Sequence, residues 1–179
     1  NRPNNEVLRE RKGSHMAEIG SILVTGAAGQ LGAVGRTVTG LILERGLSDR
    51  AMVRRDDDRA AASRNAGAGV VVGDLLEPAD AHGVVSGCRR VYLGMSVSPG
   101  YLEATVTMAA VAREVEVNAL VNMSQMTVSE MSIQNTTPSP QQRQHWLSEQ
   151  ALAWSGLPVV TIRPTVFLDG FFLALVSPA

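Results

Sequence analysis

Residues 21–39 read SILVTGAAGQLGAVGRTVT, and the reading of this stretch decides the fold. Ile19 and Ser21 to Val24 make a short apolar run that reads as a buried strand and stops at Thr25-Gly26. Gly26, Gly29 and Gly32 then recur at three-residue spacing, and a helical pattern follows. Such a turn between a strand and a helix can bring backbone N–H groups against a ligand, because glycine has no Cβ and accepts positive φ. The helix that opens there offers unpaired N–H donors and the positive end of its dipole, a place for a pyrophosphate. The plainer alternative is a Gly-Ala-rich turn without a ligand, and the strand-to-helix context favours the nucleotide. Gly26, Ala28, Gly29, Gln30, Leu31 and Gly32 are the expected cofactor contacts of this turn.

Outward from the turn, short apolar runs alternate with amphipathic ones. Apolar residues at 31, 34, 38, 41 and 42 predict a helix over 30–44, closed by Gly46. Residues 50–54 (RAMVR) predict a second strand, and Asp56 or Asp57 is placed to cap a helix running to Ala66. Residues 69–73 (GVVVG), 90–95 (RVYLGM) and 118–124 (NALVNMS) read as three further strands, separated by helical spacing over 77–85 and 99–115. Polar, proline-broken residues 125–141 read as a long loop, 140–154 as a helix ended by Gly156, and 158–163 (PVVTIR) as a sixth strand. Asp169 is placed to cap a last apolar segment over 170–176. Parallel strands need crossovers, so this alternation predicts an α/β fold: a Rossmann-type, doubly wound parallel sheet of strand order 3-2-1-4-5-6.

Composition sets bounds on that fold. The chain has 179 residues, 45% hydrophobic and 18% charged, enough for one domain with a sizeable core. Residues 1–16 end in Gly13-Ser14-His15-Met16 and read as an expression tag and cleavage scar. They carry four of the 16 basic and two of the 17 acidic residues, so the remainder has 12 basic and 15 acidic, a net charge of −3. Lys12, inside that scar, is the only lysine. The charge balance argues against a nucleic-acid partner, and no apolar run reaches the ~18 residues of a membrane span. With no leader pattern, the expected location is the cytoplasm. Cys88 stands alone, so no intrachain disulfide can form.

Cofactor choice rests on the end of the second strand. An acid there, about 20 residues past the glycines, would hydrogen-bond a ribose 2′-OH, whereas arginine accommodates a 2′-phosphate. This chain has Arg54-Arg55, and guanidinium forks match phosphate geometry. Solvated surface arginines opposed by Asp56, Asp57 and Asp58 are the alternative. NADP(H) is therefore the expected cofactor, with NAD(H) left open.

TGAAGQLG (25–32), VRR (53–55), GDL (73–75), YLGMS (92–96), SGLPVVTIRP (155–164) and FLDGFF (167–172) resemble, in order and spacing, the NmrA-like group of atypical short-chain dehydrogenases/reductases. That group includes redox-sensing regulators that bind the cofactor without turnover, and reductases of quinones and related compounds. The resemblance implies a dinucleotide-binding domain over 17–166 and the start of a small C-terminal substrate subdomain, largely missing from this chain, over 167–179. It also implies that Asp74 and Leu75 hold the adenine, that Gly94, Met95 and Ser96 pass beneath the pyrophosphate and ribose, and that Ser124 faces the substrate. Pro164, Thr165 and Val166 would lie beside the nicotinamide. Plainer roles stand beside these: Asp74 as a cap of the next helix, Ser124 as a partner of backbone, Met95 as core.

The larger superfamily transfers hydride with a tyrosine and a lysine four residues on, and no lysine lies outside residues 1–16. The corresponding helix carries His145 and Glu149, an i,i+4 pair on one face. His145 is the candidate general acid, the alternative being a histidine paired with the carboxylate on the helix surface. His82 reads as surface. Two functions follow: an NADPH-dependent reductase of a small electrophile, a quinone or carbonyl compound, or a non-catalytic NADP(H) sensor that regulates a protein partner. A nucleotide-sugar epimerase is disfavoured, because it would use the missing pair.

Overall fold

Each of the first five strands is separated from the next by a helix, so the chain crosses a face of the sheet before it pairs again, as parallel strands require. The computed structural model describes residues 20–28 and 34–165. In chain order its elements are β1 (Ser21–Val24), α1 (Val34–Glu44), β2 (Asp49–Val53), α2 (Asp58–Asn65), β3 (Val70–Val72) and α3 (Pro78–Val85). Then come β4 (Cys88–Leu93), α4 (Tyr101–Glu114), β5 (Ala119–Met123), α5 (Pro140–Trp154) and β6 (Val159–Ile162). All five pairings are parallel and the order is β3-β2-β1-β4-β5-β6, as the alternation predicts.

Period-2 alternation divides the strands between two cores. Leu23, Met52, Val91, Leu93 and Leu120 face α3, α4 and α5, where Val84, Val85, Met108, Ala112 and Leu152 meet them. Val24, Ala51 and Tyr92 face the opposite way, against Ile42, Val38 and Leu43 of α1. Leu23, Leu93, Leu120 and Leu152 are all but fully buried, each contributing roughly 1.5–3 kcal/mol before conformational entropy is charged. The sheet is thus pinned from both faces at its centre, β1 and β4, and the C-terminal ends of those strands hold the ligand turn.

Three departures from expectation have local causes. β4 begins at Cys88, two residues early: Cys88 and Arg90 pair with Ser21 and Ile22 across a register shift at Arg89, both arginines stay exposed, and their charge hid them from the apolar pattern. β2 stops at Val53, which leaves Arg54 beyond the strand end. The loop over 125–141 contains a 3₁₀ turn, Met126–Glu130, anchored by Val128 at 2% exposure. At its far end the Ser139 hydroxyl caps α5 by accepting from the Gln142 N–H at 3.4 Å. Ile19, Gly29, Gln30, Leu31, Gly32, Val166 and Asp169 lie outside the described residues, as do the tag expected over 1–16 and the subdomain expected over 167–179.

Candidate functional site: a cavity at the C-terminal ends of β1 to β4

Thr25 and Gly26 follow β1 and are stitched to the end of β4. The Thr25 hydroxyl accepts from the Gly94 N–H at 2.9 Å and faces the Gly94 carbonyl at 2.9 Å, while the Thr25 N–H donates to the Tyr92 carbonyl at 3.0 Å. Gly26 has φ +68°, and a Cβ there would strike the Gly94 carbonyl. Both facts demand glycine. Sequence reasoning missed the next member of the series: a Cβ on Gly35, in the first turn of α1, would come within 2.5 Å of the Gly26 carbonyl oxygen and 3.0 Å of the Ala27 nitrogen. The signal was present, since Gly35 continues the three-residue spacing of Gly26, Gly29 and Gly32. α1 therefore packs backbone to backbone against the turn.

Above this turn opens a cavity of about 450 Å³. Gly26 and Ala28 border it from β1, Arg54 and Arg55 from β2, Asp74 and Leu75 from β3, and Met95 and Ser96 from β4. Eight of the residues expected to hold a cofactor thus share one space. Gly94 stands behind it as the partner of Thr25. Pro164 is apart, its carbonyl accepting from the Met126 N–H at 2.9 Å.

The charges around the cavity are partnered in a definite way. Asp56 binds the Arg64 guanidinium at 2.6 and 3.0 Å, and Asp57 caps α2 through the Arg59 and Ala60 N–H groups while pairing with the Arg59 guanidinium. Those arginines hold both carboxyls below the usual carboxylate range. The two aspartates thus face forward to α2 and do not oppose Arg54 and Arg55. Arg54 reaches Asp74 at 3.3 Å from a side chain 76% exposed, and Arg55 has no hydrogen-bond or ion-pair partner among the described residues. Asp74 does not cap α3, whose N-cap is Glu77; its carboxylate closes a local turn by accepting from the Leu76 N–H at 3.0 Å. Met95 lines the cavity and also packs against the core.

A second polar cluster sits between α4, α5 and the end of β5. His145 and Glu149 share a face of α5, but it is the buried face, and they do not pair with each other as a surface couple would. The Glu149 carboxylate is gripped by the Arg163 guanidinium, at 2.6 Å through Nη2 and 3.1 Å through Nε. His145 Nδ1 instead lies 3.0 Å from the Tyr101 hydroxyl, the two rings meeting edge to face at 4.8 Å. Burial pushes the His145 pKa down, with the Glu149 charge opposing, and the same burial pushes the Tyr101 phenol up. The lowered pKa favours the neutral imidazole, and the buried contact with Tyr101 takes the place of the surface pairing with Glu149. Ser124 is 4% exposed, and its hydroxyl has no hydrogen-bond partner among the described residues. Tyr101 and Arg163 were not singled out from sequence. His82 is exposed, as expected.

Solved proteins of similar fold bear on the cavity. Citrobacter sp. triphenylmethane reductase, also solved with NADP(H), superposes with TM-score 0.71 at 22% identity, over 87% of this chain and 53% of its own. The NADPH-dependent quinone oxidoreductase QOR2 of Escherichia coli gives 0.66 at 21%, over 79% and 48%. An Agrobacterium tumefaciens short-chain dehydrogenase/reductase superfamily protein with bound NAD gives 0.64 at 24%, over 80% and 48%. This chain spans about half the length of each. No curated protein matches the sequence. A family profile described as NAD(P)H-binding covers residues 26–171, most of the chain, and with the strand order and the glycine turn it fixes the family: the chain belongs to the NAD(P)H-binding proteins.

Proposed function

We propose that the cavity above Gly26 holds NADP(H) and that the protein is an NADPH-dependent reductase of a quinone or small carbonyl compound. The carrying observation is Arg55, without a partner among the described residues, beside Arg54 at the cavity wall, with Asp56 and Asp57 engaged by α2. A dianionic 2′-phosphate suits that pair of guanidinium groups, whereas a bare ribose would leave Arg55 without use. Asp74 would accept from the adenine amino group, and the turn at Gly26 and Ala28 would face the pyrophosphate. Bound NADPH would supply a hydride, and the structural neighbours named as a dye reductase and a quinone oxidoreductase support a small electrophile as its acceptor. The fold alone is shared with them.

Calorimetry tests the cofactor assignment. NADPH should bind at least about tenfold tighter than NADH, since a charge-assisted contact contributes roughly 1.5–3 kcal/mol, and Arg54→Ala with Arg55→Ala should erase that gap. Equal affinities in the parent protein would refute it. Stopped-flow oxidation of bound NADPH across a quinone panel tests the reaction. Binding without any acceptor-dependent oxidation would replace the reductase with a non-catalytic sensor.

A further inference from the structure

The interface between α4, α5 and β5 changes character along its length. Met108, Ala112, Leu120 and Leu152 form an apolar lower half. Tyr101, Thr105, Asn122, Ser124, His145, Ser148 and Glu149, all buried, form the upper half, nearest the C-terminal end of the sheet. Polar groups in a core cost about 1–3 kcal/mol each when unmet, and Ser124 and Ser148 have no partner for their hydroxyls among the described residues. That cost falls at the sheet end where α/β proteins place their ligands.

From this juxtaposition we infer that Tyr101 is the proton donor of the proposed reduction and that His145 is a positioning residue acting through it. The inference rests on the reductase reading above. The Tyr101 oxygen has two polar neighbours, His145 Nδ1 at 3.0 Å and the Met123 carbonyl at 3.5 Å. Both contacts are met together only when Nδ1–H of His145 donates to the phenol oxygen and the phenol O–H points to Met123, since a hydroxyl has one proton and a carbonyl has none. At 3.5 Å the second contact is longer than an effective O–H···O bond. In the Nδ1–H tautomer of His145 the phenol proton is left without a strong acceptor, at a side chain 2% exposed. Gly100 and Ala104, flanking Tyr101 on the same first turn of α4, border the cofactor cavity.

The step balances without a further reagent. Hydride carries two electrons to the carbonyl carbon or quinone ring, the C=O π pair moves to oxygen, and that oxygen takes the Tyr101 proton as the phenol O–H breaks. The phenolate recovers a proton from water through His145, which accepts one at Nε2 as it gives one from Nδ1 and ends neutral. Burial keeps the phenol protonated and, by weakening it as an acid, restricts its donation to an oxygen that has become strongly basic after hydride arrives.

The chain has two tyrosines, so Tyr92→Phe leaves Tyr101 as the single reporter. Carbon-13 labelling at Cζ then reads the phenol directly by NMR. A donor beside the nicotinamide should show different resonance positions in the NADP⁺ and NADPH complexes, because the ring charge differs. Identical positions in both complexes would overturn the inference. In stopped-flow with a quinone, Tyr101→Phe should keep NADPH affinity and the parent circular-dichroism spectrum while losing about 10²–10⁴-fold in hydride transfer. His145→Gln should lose less and should shift the same resonance. A Tyr101→Phe protein that oxidises NADPH at the parental rate would refute the donor alone. Failure of the parent to oxidise NADPH with any quinone would refute the reductase reading, and the donor with it.

Discussion

Substituting Gly35 by alanine adds one methyl group at the point where α1 leans on the ligand turn. That methyl would meet the Gly26 oxygen at 2.5 Å, the Gly26 carbon at 2.7 Å and the Ala27 nitrogen at 3.0 Å, all backbone atoms that cannot rotate away. Overpacking of this kind costs about 1–3 kcal/mol, and glycine to alanine in a helix returns at most about 1 kcal/mol. Gly40 supplies the control: it lies in the same helix, a Cβ there meets nothing within 4 Å, and Gly40→Ala should therefore be stabilising by about 0.5–1 kcal/mol. The two variants should differ by the contact cost alone, which for a chain of this size corresponds to roughly 2–12 °C in Tm. Displacing α1 also displaces the turn, so calorimetry should show weaker NADPH binding for Gly35→Ala and parental binding for Gly40→Ala. Thermal melts that coincide, with equal affinities, would refute the claim that this close approach shapes the cavity.

Stability should fall on mild acidification. His145 has a folded pKa below its ordinary 6.5, so the unfolded chain takes up a proton at a higher pH than the folded one; the stabilisation is complete above 6.5 and is lost as pH drops through the folded value. Melts between about pH 7 and about pH 5 should show a falling Tm that flattens in His145→Gln, and parallel curves would exclude His145 as the cause. Arg163→Ala leaves the Glu149 carboxylate, 6% exposed, without its fork, while the arginine itself is 43% exposed. The loss should thus sit near the lower end of the about 3–5 kcal/mol typical of broken buried pairs. Adding Glu149→Gln should recover part of it, and strictly additive losses by chemical denaturation would show the pair to be uncoupled.

The strand order was readable because each strand is an apolar run bounded by turn residues, and the cavity because its turn carries a spacing of glycines. Arginine and aspartate pairings were not readable in the same way. Asp56 to Asp58 follow Arg54 and Arg55 directly in sequence, yet Asp56 and Asp57 pair with arginines on α2, where helix geometry brings Arg59 and Arg64 round to them. α5 misled for another reason: its buried face carries His145, Ser148 and Glu149, so the helix looks polar all round and its histidine looks like surface. Tyr101 was invisible as a partner because 44 residues separate it from His145, and only the packing of α4 on α5 joins them.

The bond between Thr25 and Gly94 has a consequence for how the protein acquires its capacity to bind. Its two ends are 69 residues apart, and β1 gains its second neighbour only when β4 arrives, after β2 and β3 have been made. Closing so long a loop is entropically costly and slow compared with forming a local helix or turn. The first strand, turn and helix can thus form early during folding and still lack the Gly94 side of the cavity. Nucleotide affinity should consequently appear as a late event in refolding, so that the cofactor stabilises the finished sheet and has little purchase on a chain that has built only its first half.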